Sequence, residues 1–256
     1  MKVNLEQITR QGKALFLAYD QGFEHGTADF NDENVDPKKV LEIADSGFFT
    51  GVILQKGIAE KYYFGQNYKV PLIVKLNGKT NLVKDIDPYS PQVCSVAEAI
   101  SYGAKAVGYT IYVGSEFESK MTEEFGKIEQ EAEEAGLSVI AWMYPRGKNV
   151  ADENDPKVIA YAARVGLELG ADIIKVRYTG DPKSFNWVVK SAGETKVVAM
   201  GGSKEDEQGF LTKTKIIMEQ GAIGLAVGRN VWQSEKPLAI VKKNLGYYLE
   251  LKKCLM

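Results

Sequence analysis

One histidine, two cysteines and no excess of charge of either sign set the first limits on this 256-residue sequence. Each shortage excludes something. His25 is alone, so any centre that needs two or more histidines, such as a zinc-dependent aldolase site, is ruled out, and no metal or cofactor is expected. Cys94 and Cys254 lie far apart with no metal-ligand spacing; they fit a reducing, cytoplasmic setting, and a disulfide between them is not the expectation. The 32 basic and 34 acidic residues nearly cancel, so no global basic field draws in nucleic acid, and any anion site must be local. No apolar run approaches the ~20 residues that span a bilayer. The opening MKVNLEQITRQGKALFLAYD has neither the apolar core nor the small-residue cleavage site of a secretory leader. A cytoplasmic protein without membrane or nucleic-acid partner is expected.

What is present is rhythm. The length is close to the roughly 250 residues of one (βα)8 barrel, although it would also allow two smaller domains. Eight short apolar runs, at 14–19, 51–55, 72–76, 106–112, 138–144, 172–177, 196–200 and 223–227, alternate with amphipathic stretches. The helical patterns fall at 37–46, 95–102, 116–135, 156–169, 184–192, 204–220 and 236–253. Gly103-Ala104, Ala135-Gly136, Gly170-Ala171 and Gly221-Ala222 punctuate the helix ends, where glycine takes the left-handed conformation at no steric cost. A doubly wound open sheet is the alternative. The barrel is favoured because no Gly-x-Gly-x-x-Gly opens the first βα turn and because polar residues recur at the C-terminal end of nearly every strand. The fold expected is α/β, a single (βα)8 (TIM) barrel domain over residues 1–256, with 29–36 as an acidic loop after the first strand.

Active sites in such barrels sit at the C-terminal strand ends. Lys175 lies inside the apolar run ADIIKVRY. Strand alternation puts Ile173, Lys175 and Arg177 on one face and Ile174 and Val176 on the other, so Lys175 points into the barrel mouth. A buried lysine must be paired, neutral or functional. At its ordinary pKa near 10.4 only roughly 0.04% is neutral at pH 7, so a nucleophilic amine needs desolvation or positive neighbours, for which Arg177, Arg146 and Lys75 are candidates. The bland alternative is a structural pair with Asp20. Asp20 follows the first strand and is either a partner in the chemistry or a turn-stabilising loop aspartate. Trp142 and Tyr144 share a strand face; Tyr144 can exchange a proton, with its pKa lowered by Lys175 or Arg146, or both rings simply fill the core. Gly201-Gly202-Ser203 and Gly228-Arg229 end the last two strands, where close backbone approach and a following helix N-terminus suit phosphate; plain tight turns are the alternative. His25 is either catalytic or loop-positioning.

Seven stretches in order carry a resemblance: AYDQGFEHG (18–26), VKLNGKTNL (74–82), SVAEAISYGAKAVGYTIYVGS (95–115), WMYPRG (142–147), ADIIKVRYTGD (171–181), VAMGGSK (198–204) and GLAVGRNVWQ (224–233). Together the chain resembles the archaeal-type (DhnA-type) class I fructose-bisphosphate aldolases, with Phe23 and Thr27 departing from the residues usual there. The resemblance implies a homo-oligomeric barrel enzyme acting on a phosphorylated sugar. It implies Lys175 as the Schiff-base lysine, Tyr144 as general acid/base, and Asp20 and Trp142 as shaping proton transfer. It implies one phosphate on Gly201, Gly202, Ser203, Gly228 and Arg229. Lys75, Lys79 and Arg146 are carried over for the second phosphate or the hydroxyls. The expected reaction is reversible cleavage of fructose 1,6-bisphosphate. The rivals are a transaldol-type synthase of an amino-dideoxy-heptulosonate, a non-covalent sugar-phosphate isomerase or synthase using Asp20 as base, and a sugar-phosphate-binding barrel without turnover.

Overall fold

The computed structural model describes residues 5–84 and 86–243. Eight parallel strands close into a barrel in sequence order, β1 pairing with β8. They are β1 (Ala14–Ala18), β2 (Gly51–Gln55), β3 (Leu72–Lys75), β4 (Ala106–Val113), β5 (Ser138–Pro145), β6 (Ile173–Val176), β7 (Lys196–Met200) and β8 (Gly224–Val227). The principal helices are α1 (Pro37–Ala44), α2 (Val96–Ser101), α3 (Glu118–Glu134), α4 (Pro156–Glu168), α5 (Pro182–Ser191), α6 (Glu207–Glu219) and the short α7 (Arg229–Trp232). Between β2 and β3 a full helix is replaced by Lys56–Ile58 running into a π-helical turn, Ala59–Tyr63. Residues 237–243 are helical; residues 244–253 of the helix expected over 236–253, and Cys254, lie outside the described residues. No helix among the described residues is long and apolar enough to cross a membrane.

Local chemistry explains where the helices start. The tripeptide Asp-Pro-Lys opens α1, α4 and α5, with Asp36, Asp155 and Asp181 as N-caps. In each the carboxylate accepts an orphan backbone N–H, at 2.8–3.0 Å, and proline supplies a pre-set φ where no N–H is needed. Ser95 and Glu98 form a reciprocal capping box on α2. The four glycine stops expected from the sequence, Gly103, Gly136, Gly170 and Gly221, all adopt positive φ between 70° and 100°.

Strand alternation sorts the core into two. Outward residues such as Leu17, Val52, Val74, Ile174 and Val176 pack against the helices. Inward residues, among them Ala14, Phe16, Ile53, Ile73, Ile140, Ile173 and Val198, fill the barrel. Ile8, which follows the 3-10 turn Leu5–Gln7, is fully buried in this inner cluster and closes the floor. The inward face turns polar only near the C-terminal ends. Lys75 is the last residue of β3, Lys175 is the third of the four in β6, and Trp142 sits beside it in the β5–β6 register.

Several boundaries differ by a residue or more from expectation, and two of these bear on the site. β6 ends at Val176, so Arg177 is already in the following turn and does not continue the inward face of Lys175. The helix after β7 begins at Glu207 rather than 204, because Asp206 caps it by accepting the Gly209 N–H at 2.9 Å.

Candidate active site

A cavity of about 130 Å³ opens at the barrel mouth. Eleven of the residues singled out from sequence line it: Asp20, His25, Lys75, Trp142, Tyr144, Arg146, Lys175, Gly201, Gly202, Gly228 and Arg229. Three others do not. Ser203 is exposed, and its carbonyl is turned away to accept Asn230 Nδ2 at 3.0 Å. Lys79 donates to the Thr80 carbonyl at 2.8 Å. Arg177 reaches Asn154 Oδ1 at 2.5 Å and Glu153 Oε1 at 3.3 Å, in an adjoining depression shared with Tyr144, Arg146 and Met200.

At the centre lie two lysines and one carboxylate. Lys175 and Lys75 are each 7% exposed, and Asp20 is 9% exposed. Lys75 Nζ donates to Asp20 Oδ2 at 3.3 Å. Burial drives the Lys175 ammonium down to about 8, and the positive charge of Lys75 adds to the fall, against opposing pulls from Asp20 and Glu24. The cationic neighbour is therefore Lys75; neither Arg146 nor Arg177, the other two candidates, contributes, because both are engaged with carboxylates further out. The structural pair with Asp20 does exist, but Lys75 makes it. Burial alone would raise the Asp20 carboxyl, yet Lys75 and Lys175 outweigh it and hold Asp20 below its ordinary value, ionised at neutral pH.

Trp142 forms the wall between them. Its ring centroid lies 5.0 Å from Lys175 Nζ and 5.2 Å from Lys75 Nζ. Its indole N–H is buried with no partner among the described residues. The ring fits because residue 108 has no side chain: a Cβ there would stand 1.9 Å from Trp142 Cζ3. Gly108 was not among the sequence candidates, although a glycine inside the strand AVGYTIYV is a signal of close approach.

Tyr144 corrects an expectation. Its hydroxyl pKa is raised well above the ordinary value, not lowered. Burial is the main cause, and the negative charges of Asp20 and Glu24 add to it; Arg146 opposes, and is outweighed. Arg146 is itself occupied, with Nη1 on Glu24 Oε1 and Nε on Glu153 Oε2, both at 3.1 Å. Tyr144 is thus a phenol that can donate. Glu24, which no sequence argument had singled out, holds Arg146 across the mouth from the Gly22–His25 turn.

The other end of the cavity is built to take an anion. Gly202 has φ +76°, and the backbone N–H groups of Gly202 and Ser203 meet no acceptor among the described residues. Gly228 lies so close to β1 that a Cβ would stand 3.1 Å from the Ala18 carbonyl. The helix that starts at this end is the four-residue α7, beginning at Arg229, whereas α6 starts too late to contribute its N-terminus. Arg229 Nη1 and His25 Nδ1 share one carboxylate, Asp29, at 3.3 and 2.6 Å. The acidic loop carrying Asp29 is anchored as well: Phe30 packs against Tyr19 and Trp232, with ring centroids 5.4 and 5.8 Å away. The sole histidine is therefore fixed at the anion end.

A buried amine with a depressed pKa, a phenol, an ionised carboxylate and an anion cradle together suit attack on the carbonyl of a phosphorylated compound. Known proteins resemble this chain along most of its length. The family description "DeoC/LacD family aldolase" matches residues 14–234. A fructose-bisphosphate aldolase class 1 of Thermoproteus tenax is 51% identical over 93% of this chain and 90% of its own length. A Methanocaldococcus jannaschii protein, named fructose-bisphosphate aldolase/6-deoxy-5-ketofructose 1-phosphate synthase, is 40% identical over 98% of this chain and 86% of its own. A solved archaeal fructose-1,6-bisphosphate aldolase, its catalytic lysine covalently bound to the carbinolamine intermediate of the substrate, superposes with a TM-score of 0.90 at 50% identity, over 95% of this chain and 97% of that one. With a match running from β1 to just beyond α7, this chain belongs to the DeoC/LacD aldolase family.

Proposed function

We propose that this chain is a class I aldolase that reversibly cleaves fructose 1,6-bisphosphate to dihydroxyacetone phosphate and glyceraldehyde 3-phosphate, with Lys175 as the Schiff-base nucleophile. The observation that carries this reading is Lys175 itself: an amine at the floor of the cavity whose pKa of about 8 leaves a useful neutral fraction near neutral pH. A value of 8 leaves about 10% neutral at pH 7, roughly 250 times the fraction of an ordinary lysine.

In this reading the neutral Lys175 amine attacks the C2 carbonyl to give a carbinolamine. Tyr144, held as a phenol, gives its proton to the departing hydroxyl, so that water leaves and a protonated imine remains. The new phenolate lies beside the iminium cation and is the strongest base at hand. It takes the C4 hydroxyl proton as the C3–C4 bond breaks, and the bond electrons flow into the iminium to form an enamine. Glyceraldehyde 3-phosphate departs. Tyr144 then protonates C3 of the enamine, and water releases dihydroxyacetone phosphate from Lys175. Asp20, with its depressed pKa and its bond to Lys75, is a poor base in this scheme. It suits orienting a substrate hydroxyl. Gly201, Gly202, Gly228, Arg229 and His25 hold the ketose phosphate, and Arg146 faces the other end. We further read the chain as one barrel domain, cytoplasmic and homo-oligomeric, a reading that rests on its cysteine poverty and its family.

Borohydride reduction in the presence of dihydroxyacetone phosphate, followed by peptide mass spectrometry, tests the proposal. A substrate-dependent adduct should appear on the peptide holding Lys175 and vanish in Lys175→Ala. Active wild-type protein without an adduct would sink the covalent mechanism. A screen of acceptor aldehydes then separates fructose-bisphosphate cleavage from transaldol-type transfer, which uses the same lysine.

A further inference from the structure

We propose that Asn230 is a positioning residue that shapes the phosphate end of the site by fixing the direction of the Gly202 N–H. The inference rests on the aldolase reading only for the identity of the anion.

Asn230 follows Arg229 at the start of α7 and is 4% exposed. All the hydrogen bonds of its amide go to the loop between β7 and α6. Nδ2 donates to the carbonyls of Gly201 and Ser203, both at 3.0 Å, and Oδ1 accepts the Glu205 N–H at 2.9 Å. One side chain from β8's end thus grips three points of the loop that follows β7. Lys213 on α6 adds a second donor to the Gly201 carbonyl, at 3.2 Å, and pairs with Glu205.

The consequence follows from the planar trans peptide. The carbonyl of Gly201 and the N–H of Gly202 belong to one peptide unit and point in opposite directions. Pinning the carbonyl toward Asn230 turns the N–H the other way, and that N–H has no acceptor among the described residues. Gly202 lines the cavity. Without Asn230 the Gly201 carbonyl keeps only the longer bond from Lys213, so the Gly201–Gly202 peptide is held less firmly and the preorganised donor is weakened. Asn230 touches neither the amine nor the carbonyl under attack, so its effect should be confined to the phosphate.

The test compares donors with and without that group in wild type, Asn230→Leu, which keeps the branching and heavy-atom count but removes every side-chain hydrogen bond, and the smaller Asn230→Ala, which leaves room for water. Borohydride trapping is titrated with dihydroxyacetone phosphate and with unphosphorylated dihydroxyacetone. We expect the half-saturating concentration of the phosphorylated donor to rise by about tenfold or more, the effect of losing one well-placed charged hydrogen bond. Trapping by dihydroxyacetone should stay within about twofold, by the same reasoning that no contact to the unphosphorylated donor is lost. Equal loss with both donors, or no loss with the phosphate, overturns the proposal. Calorimetric titration with inorganic sulfate gives an arm that needs no chemistry: affinity should fall by a like factor in both variants, and unchanged affinity, or no sulfate binding by wild type, overturns it. Sulfate binding that depends on Asn230 in a wild-type protein forming no adduct would retract the Schiff-base reading and leave this one standing.

Discussion

At the scale of single residues, the two buried lysines of the cavity are given different neighbours. Lys75 has the carboxylate of Asp20 at 3.3 Å; among the described residues Lys175 has no comparably close anion, and it faces the wall of Trp142. The sign of the pH dependence follows. In the proposed mechanism attack requires neutral Lys175, so imine formation should rise with pH and level off above about 8. Lys75→Met removes a positive neighbour and leaves Asp20 facing Lys175 uncompensated. Both changes favour the ammonium, so the half-maximal point should move to higher pH, and the rate at pH 7 should fall by roughly tenfold for each pH unit moved. Rapid-mix borohydride trapping from pH 6 to 10 measures this; a midpoint that stays put would refute the assignment of Lys75. The same group bears on stability. Its folded pKa lies below the unfolded value of 10.5, so the unfolded chain binds more protons between about 8 and 10.5, and this contribution to stability increases as pH rises through that range.

At the scale of elements, the decisive fit is between β4 and β5. They pair in register over eight residues, from Ala106 with Ser138 to Val113 with Pro145, and the Trp142 ring lies over Gly108. Gly108→Ala should push that ring from its place. We expect a loss of about 1–3 kcal/mol of stability, typical of overpacking, and a fall in kcat far larger than the fall in folded fraction, read from thermal melts and steady-state rates side by side. Normal kcat with a lowered Tm would mean that Trp142 only fills space. This layer also marks the limit of what could be read from sequence. That Lys175, Trp142 and Tyr144 face inward was legible, because alternation along one strand is local. That Lys75 would be the partner of Asp20 was not, because it depends on how β1 and β3 sit across the mouth. Arg177 misled for a related reason: alternation carries a residue inward only while the strand lasts, and β6 stops one residue short of it. The direction of the Tyr144 shift was hidden because it depends on burial, and on Arg146 being held by Glu24 and Glu153, contacts made between distant loops. Asn230 stood next to a chosen residue, yet its role is visible only once two consecutive strand ends are adjacent.

At the scale of the whole molecule, the described residues form a well whose cavity opens at the C-terminal ends of the strands. Ile8 and the inward aliphatic residues fill its lower part, and the Lys175 amine stands above them. A blind-ended well imposes traffic rules. Whatever enters leaves by the same door, and in the proposed mechanism the half of the sugar tethered to Lys175 is the deeper one. The aldehyde half must therefore clear the mouth before the tether is cut, so the two products should leave in a compulsory order. Dihydroxyacetone phosphate, last out, should compete with fructose 1,6-bisphosphate for the empty enzyme, whereas glyceraldehyde 3-phosphate should inhibit noncompetitively; the reverse pattern would mean that a second exit exists. A sealed floor, which looks like a matter of packing alone, thus sets the sequence of departures and makes the tethered half the one that reports the emptiness of the site.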